Sequence, residues 1–182
     1  MGFEYRYDAA VAGAGIAGIA AALQLARDGR KVALIEKTIF TGGLATTGLI
    51  NIYLPICDGN GRLVSKGIAE ELLLRTRDYG PGRLPEGWKS ARNADEPDRY
   101  VSRFYSAASY ILALDELLEG AGVDLWFDTL VVDPIVEGGV VKGLAVETKA
   151  GRGEILAGVT IDATGDADVA FRAGAAVADG GN

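Results

Sequence analysis

The sequence predicts an α/β fold: a parallel sheet carrying helices, extended by an antiparallel β-meander. Three observations lead there. Two short apolar runs, Tyr7–Ala12 and Lys31–Glu36, flank a helical pattern over Ile16–Asp28. Strand, helix and strand within about 30 residues make a βαβ unit, which forces a parallel pair and a right-handed crossover. From Val123 onward the apolar period changes to two, with glycine turns between the runs.

The elements follow in order. Tyr7–Ala12 reads as a buried strand. The helix after it carries Ile16, Ile19, Ala20 and Leu23 on one side, and Gly29 supplies its C-terminal stop. Lys31–Glu36 is the second strand. A glycine-rich stretch over 41–64 precedes a helix at Ser65–Asp78, striped by Ile68, Ala69, Leu72 and Leu73, with Lys66/Glu70 and Glu71/Arg75 four apart. Residues 83–100 show no pattern. A helix over Ser106–Glu119 follows, with Ala108, Ile111, Leu112, Leu114 or Asp115, and Leu118 as its stripe. Strands are then expected at 124–127, 129–136, 140–148, 154–156 and 159–163, with a hairpin turn at Gly138-Gly139 and a short helix to about Ala173. Residues 47–105 read as a segment inserted into a single domain spanning 1–182.

Composition narrows the function. Of the 182 residues, 49% are apolar and 24% charged, which suits a packed core and not disorder. There are 26 glycines, 14% of the chain, against a usual share of about 7%, and they cluster without a period. The net charge of −7 argues against a nucleic-acid partner, whose phosphates need cations. One cysteine, Cys57, leaves no internal disulfide and no cysteine-built zinc site; no metal is expected. There is no histidine, so Ser-His-Asp triads and imidazole acid–base chemistry are out of reach for this chain. The N-terminus is too polar for a signal peptide, and the apolar stretch Ala9–Ala26 holds three glycines and ends at Arg27-Asp28. A cytoplasmic protein without a membrane partner is expected.

Gly13-Ala14-Gly15-Ile16-Ala17-Gly18 is G-x-G-x-x-G, a weak signal alone. Here it follows a strand and opens a helix, where the mechanism needs it. Gly13 permits the tight turn, Gly15 lets a diphosphate approach the backbone, and Gly18 lets helix and strand pack closely. The helix N-terminus adds free N–H groups and a positive dipole end. Glu36 ends the second strand, eighteen residues beyond Gly18. A carboxylate there accepts hydrogen bonds from ribose hydroxyls and repels a 2′-phosphate, which favours FAD or NAD over NADP. The fold is therefore expected to be a Rossmann-like dinucleotide-binding domain.

Val11–Gly18, then Leu34-Ile35-Glu36-Lys37, then Thr41-Gly42-Gly43-Leu44-Ala45-Thr46 resembles the N-terminal part of FAD-dependent oxidoreductases of the glutathione-reductase fold. Thr160-Ile161-Asp162-Ala163-Thr164-Gly165-Asp166 resembles their Ala-Thr-Gly segment. The likeness covers most of the chain and is weakest over 83–104. It implies FAD as cofactor, a small-molecule substrate and hydride transfer to or from the flavin. It also implies roles by position. Gly13, Ala14, Gly15, Ile16, Ala17 and Gly18 would face the pyrophosphate, Glu36 the ribose, and Lys37 the adenosine. Gly42, Gly43, Leu44 and Ala45 would follow the pyrophosphate, ribityl chain and flavin edge. Val131 would meet adenine through its backbone, and Ala163, Thr164 and Gly165 would close over the pyrophosphate side.

Asn51, Tyr53, Cys57 and Asp58 follow the flavin-side loop, which makes Tyr53 and Cys57 the candidates for proton or thiol chemistry. Arg92, Arg99 and Arg103 are candidates to meet an anionic substrate, though Asp95, Glu96 and Asp98 balance them. Members of the resembled family are longer, so the chain reads as a fragment lacking a C-terminal domain, and apolar surface that domain would cover makes self-association an expectation. Two other readings stay open: an NAD-binding dehydrogenase domain, and a noncatalytic dinucleotide-binding or assembly module. Gly42-Gly43 and the hairpin over 129–148 stand against the first.

Overall fold

A computed structural model describes residues 2–53, 56, 64–76, 78, 79 and 103–178. The elements in chain order are β1 (Phe3–Ala12), α1 (Ile16–Arg27), β2 (Val32–Ile35), a one-turn 3-10 helix (Gly43–Ala45), β3 (Ile52–Tyr53), α2 (Ile68–Arg75), β4 (Arg103–Phe104), α3 (Ala107–Gly120), β5 (Asp124–Trp126), β6 (Leu130–Glu137), β7 (Val140–Thr148), β8 (Gly151–Asp162) and α4 (Asp168–Arg172). They fall into two compact units, one of Met1–Gly43 with Leu117–Asn182, the other of Leu44–Glu116.

The first unit is built on a six-stranded mixed sheet of order β5-β2-β1-β8-β7-β6. β1 pairs in parallel with β2 and with β8, and β2 with β5. β6, β7 and β8 are antiparallel and form the expected meander. Ala9–Ala12 and all of β2 are buried, as strands covered on both faces must be. One face carries Ala10, Ala12, Ala33 and Ile35 packed with Leu144, Val146 and Ile155 of the meander. α1 packs on β1 and β2 with Gly18, Ile19, Ala22 and Leu23 buried. Small residues in β1 let both layers come close. Each fully buried Ile or Leu side chain adds about 2 kcal/mol. Asp8 fixes the start of β2: its carboxylate accepts the Lys31 N–H at 2.8 Å, and its own N–H donates to Lys31 O at 2.9 Å.

Phe3, Tyr5 and Trp126 form an aromatic cluster, the Phe3 and Trp126 rings stacked at 5.8 Å. Trp126 Nε1 donates to Tyr7 Oη at 3.0 Å. Burial pushes the Tyr7 phenol above its ordinary value; Asp124 adds to the rise and the Trp126 N–H opposes it.

In the second unit α2 buries Leu72 and Leu73, and Arg75 lies 3.9 Å from Glu71. α2 starts at Ile68, so Lys66 precedes the helix and the spacing to Glu70 has no helical meaning. The buried stripe of α3 keeps Leu114 and Leu118 of the expected one. Tyr110 and Ala113 are buried with them, Ala108 and Leu112 are exposed, and the Tyr110 ring meets Tyr105 edge-on at 5.0 Å. β3 and β4 pair two residues each, too short for any sequence period to show.

The strands expected at 154–156 and 159–163 are one strand, β8. β1 pairs along nearly all of it, from Phe3↔Gly153 to Ala12↔Asp162, and carries the ladder past Gly158. β1 itself starts four residues before the expected Tyr7 for the same reason. No helix among the described residues is long and apolar enough to cross a membrane.

Candidate dinucleotide site

The turn between β1 and α1 assigns each glycine a separate task. Gly13 has φ +99°, a left-handed backbone that side chains resist. A Cβ there would also lie 2.5 Å from Ala163 O. A Cβ on Gly18 would reach 1.9 Å from Gly13 O, so the helix backbone sits directly on the turn. Gly15 differs: a Cβ there would meet no atom within 4 Å. Its φ of −71° suits any residue, so sterics inside the chain do not require glycine. The open space beside its backbone is a cradle that a side chain would fill.

Gly15 is also the N-cap of α1. No side chain caps the helix and no acidic residue sits in its first turn. The first helical bond runs from Ile19 N–H to Gly15 O at 2.9 Å. The N–H groups before it and the positive dipole end therefore face the open side, the arrangement that holds a diphosphate. Ala14 is buried, Ile16 half-buried and Ala17 exposed along this edge.

Glu36 is 9% exposed and lies at the same turn. Its Oε2 accepts the Ala14 N–H at 2.9 Å and its Oε1 the Thr38 N–H at 2.8 Å. Its backbone is fixed as well, donating to Trp126 O and accepting from Thr129 N–H. Each carboxylate oxygen has two lone pairs, so one on each remains for a sugar diol. Lys37 is exposed beside it.

The second glycine pair lies along the first turn. Gly42 N–H donates to Ala14 O at 2.8 Å, and Gly15 and Gly42 form an isolated parallel bridge. A Cβ on Gly43 would come 3.0 Å from Gly15 Cα. Gly43 opens the 3-10 turn that runs to Ala45. Leu44 is 71% exposed, and Ala45 O accepts the Tyr105 hydroxyl at 2.8 Å.

Ala163 N–H donates to Ala12 O at 2.8 Å, which seats the Ala163–Gly165 turn beside Gly13. Gly165 has φ +94° and open space around it. Asp162, which the sequence reading left without a role, accepts hydrogen bonds from Thr164 and Ala170. Partial burial raises its carboxyl, but these bonds outweigh it and hold the group below the ordinary carboxylate value. Val131 is half-buried on β6 opposite Val146, and a register shift follows it before Asp133. The Arg172 guanidinium donates to the carbonyl of Val132, inside that shift. Bulges of this kind re-aim a strand locally.

The structure thus brings together Gly13–Gly18, Glu36, Gly42, Gly43 and Ala163. Tyr53 lies in β3 and Arg103 in β4, but their side chains are outside the described residues, as are Cys57, Asp58, Arg92 and Arg99. Asn51 Nδ2 donates to Tyr105 O at 3.3 Å. No group of three His, Cys, Asp or Glu among the described residues could hold a metal.

Solved structures share this fold. A geranylgeranyl bacteriochlorophyll reductase-like protein from Thermoplasma acidophilum matches at TM-score 0.62 and 23% identity, over 94% of this chain and 42% of its own. THI4 of Thermovibrio ammonificans matches at 0.60 and 20%, over 92% and 61%. Glycine oxidase of Geobacillus kaustophilus matches at 0.54 and 22%, over 93% and 59%. The chain thus spans less than two thirds of the length of each. No curated protein matches by sequence. The profile of the FAD dependent oxidoreductases matches residues 8–182. With a glycine cradle, a bare helix end and a fixed acid at the places that profile covers, the chain belongs to the FAD dependent oxidoreductase family.

Proposed function

We propose that this chain is the FAD-binding part of an oxidoreductase that moves a hydride between a small-molecule substrate and the flavin. The observation that carries the reading is the open space over Gly15, set between the bare N-terminus of α1 and the oriented Glu36 carboxylate. The backbone N–H groups of Gly15–Gly18 hold the diphosphate, and Gly42 and Gly43 line its other side. The two free lone pairs of Glu36 take the ribose hydroxyls, and its charge keeps out a 2′-phosphate. Lys37 flanks the adenosine. Val131 meets adenine through its backbone, and the Ala163–Gly165 turn closes the phosphate side. The flavin, when bound, supplies the redox chemistry itself, and the protein supplies position and electrostatics. A chain without histidine suits that division of labour. The acidic charge of −7 supports a small-molecule substrate over nucleic acid, and we place the protein in the cytoplasm.

The visible spectrum of the purified protein, before and after incubation with FAD, tests this. A yellow protein that releases FAD on denaturation supports it. A protein that stays colourless with added FAD, yet binds NAD in calorimetry, would overturn it.

A further inference from the structure

Asp162 has no cofactor contact in the reading above, yet it organises the turn that reading uses. One oxygen accepts the Thr164 N–H at 3.0 Å and the Thr164 hydroxyl at 2.7 Å. The other accepts the Ala170 N–H at 2.8 Å, and the Val169 N–H adds a further bond. Thr164 Oγ1 in turn accepts the Asp168 N–H at 3.0 Å. The single proton of the Thr164 hydroxyl is therefore committed to Asp162. Thr164 directs both of its donors, backbone N–H and hydroxyl, at Asp162.

The carboxylate thus ties the end of β8, the Thr164–Gly165 turn and the first turn of α4 to one point. Ala163, next to it, carries the carbonyl against which Gly13 is fitted, with 2.5 Å left for any Cβ. A shift of the Ala163–Gly165 turn would move that carbonyl and disturb the packing of Gly13 and Gly18 against Ala163, and so the glycine turn that carries Gly15. An acid this near a diphosphate would repel it if bare. Here backbone N–H groups and a hydroxyl donate into its charge.

We propose that Asp162 is a positioning residue for the diphosphate: through the Thr164–Gly165 turn it keeps Ala163 seated against Gly13, and with it the glycine turn whose open side over Gly15 is the groove for the diphosphate, without contacting the cofactor. This rests on the reading of that groove as the diphosphate site.

Calorimetric titration with ADP and with AMP tests it, because the ratio of the two affinities reads the second phosphate. In Asp162→Ala the ADP affinity falls about tenfold as the turn beside the diphosphate loses its tie, while AMP falls less, so the ratio narrows. Asp162→Asn keeps one carbonyl acceptor in place of two carboxylate oxygens and recovers part of the ratio. Thr164→Ser, which keeps the hydroxyl, retains the wild-type ratio. If Asp162→Ala does not fold, Thr164→Val, which removes the hydroxyl donor to Asp162, narrows the ratio in its place. A folded Asp162 variant that is less heat-stable but keeps the wild-type ratio overturns the proposal and leaves Asp162 a purely structural acid. A wild-type chain that binds neither nucleotide overturns the diphosphate reading itself, and the proposal with it.

Discussion

Two turns meet at the candidate site, and they are built by opposite means. The Gly13–Gly18 turn is made from missing side chains. Two of its glycines are packed so tightly that a single Cβ would strike backbone, while Gly15 stands in the open. The Ala163–Gly165 turn is made from side chains, held by a carboxylate and a hydroxyl. The first is rigid because nothing fits into it. The second is rigid because polar groups are satisfied. A wall of the first kind fails through sterics and is indifferent to pH. A wall of the second kind fails through lost hydrogen bonds and responds to protonation.

That contrast can be broken at several points. Gly18→Ala should be the most damaging, because its methyl group has only 1.9 Å to Gly13 O and neither backbone can retreat. Overpacking of this kind costs about 3 kcal/mol, readable in a denaturant melt. Thr164→Val should cost less, about 1–2 kcal/mol, by removing one donor to Asp162 and leaving the Asp168 N–H without its acceptor. A melt as costly as that of Gly18→Ala would mean that the second turn is not the softer one.

Acid separates the walls in another way. The folded Asp162 carboxyl lies below its ordinary value. Its contribution to stability is thus complete above the unfolded-state value, near 3.9, and is lost as pH falls through the lower folded one. Melts of wild type and Asp162→Asn below about pH 4 should converge as the pH drops. Parallel curves would remove Asp162 as the acid-sensitive group. The smallest stability change belongs to Gly15→Ala. A poorer N-cap and a less flexible unfolded chain offset each other to within about 1 kcal/mol.

The sequence made the first wall legible residue by residue, since a missing side chain is visible as the letter G at a fixed spacing. The helical period found α1, and continuous apolar runs found Ala9–Ala12 and β2. Asp162 stayed hidden. Its partners lie two, seven and eight residues on, and only the left-handed turn through Gly165 and Ala167 brings them to one carboxylate. The continuity of β8 was hidden too. Gly153 and Gly158 read as interruptions, but a parallel neighbour over a hundred residues earlier in sequence holds the strand together. The burial of Tyr110 on α3 stayed hidden for a like reason, because tyrosine counts as half-polar in a pattern and is in fact fully buried here. Spacing reports local periods; it does not report which distant strand or ring an element meets.

Titration of wild type and Gly15→Ala with ADP tests the central claim most directly. If a dinucleotide lies over Gly15, wild type binds ADP and the variant binds at least about tenfold more weakly at nearly unchanged melting temperature. Equal affinity in the two proteins would contradict the account, because a methyl group in that space would then displace nothing.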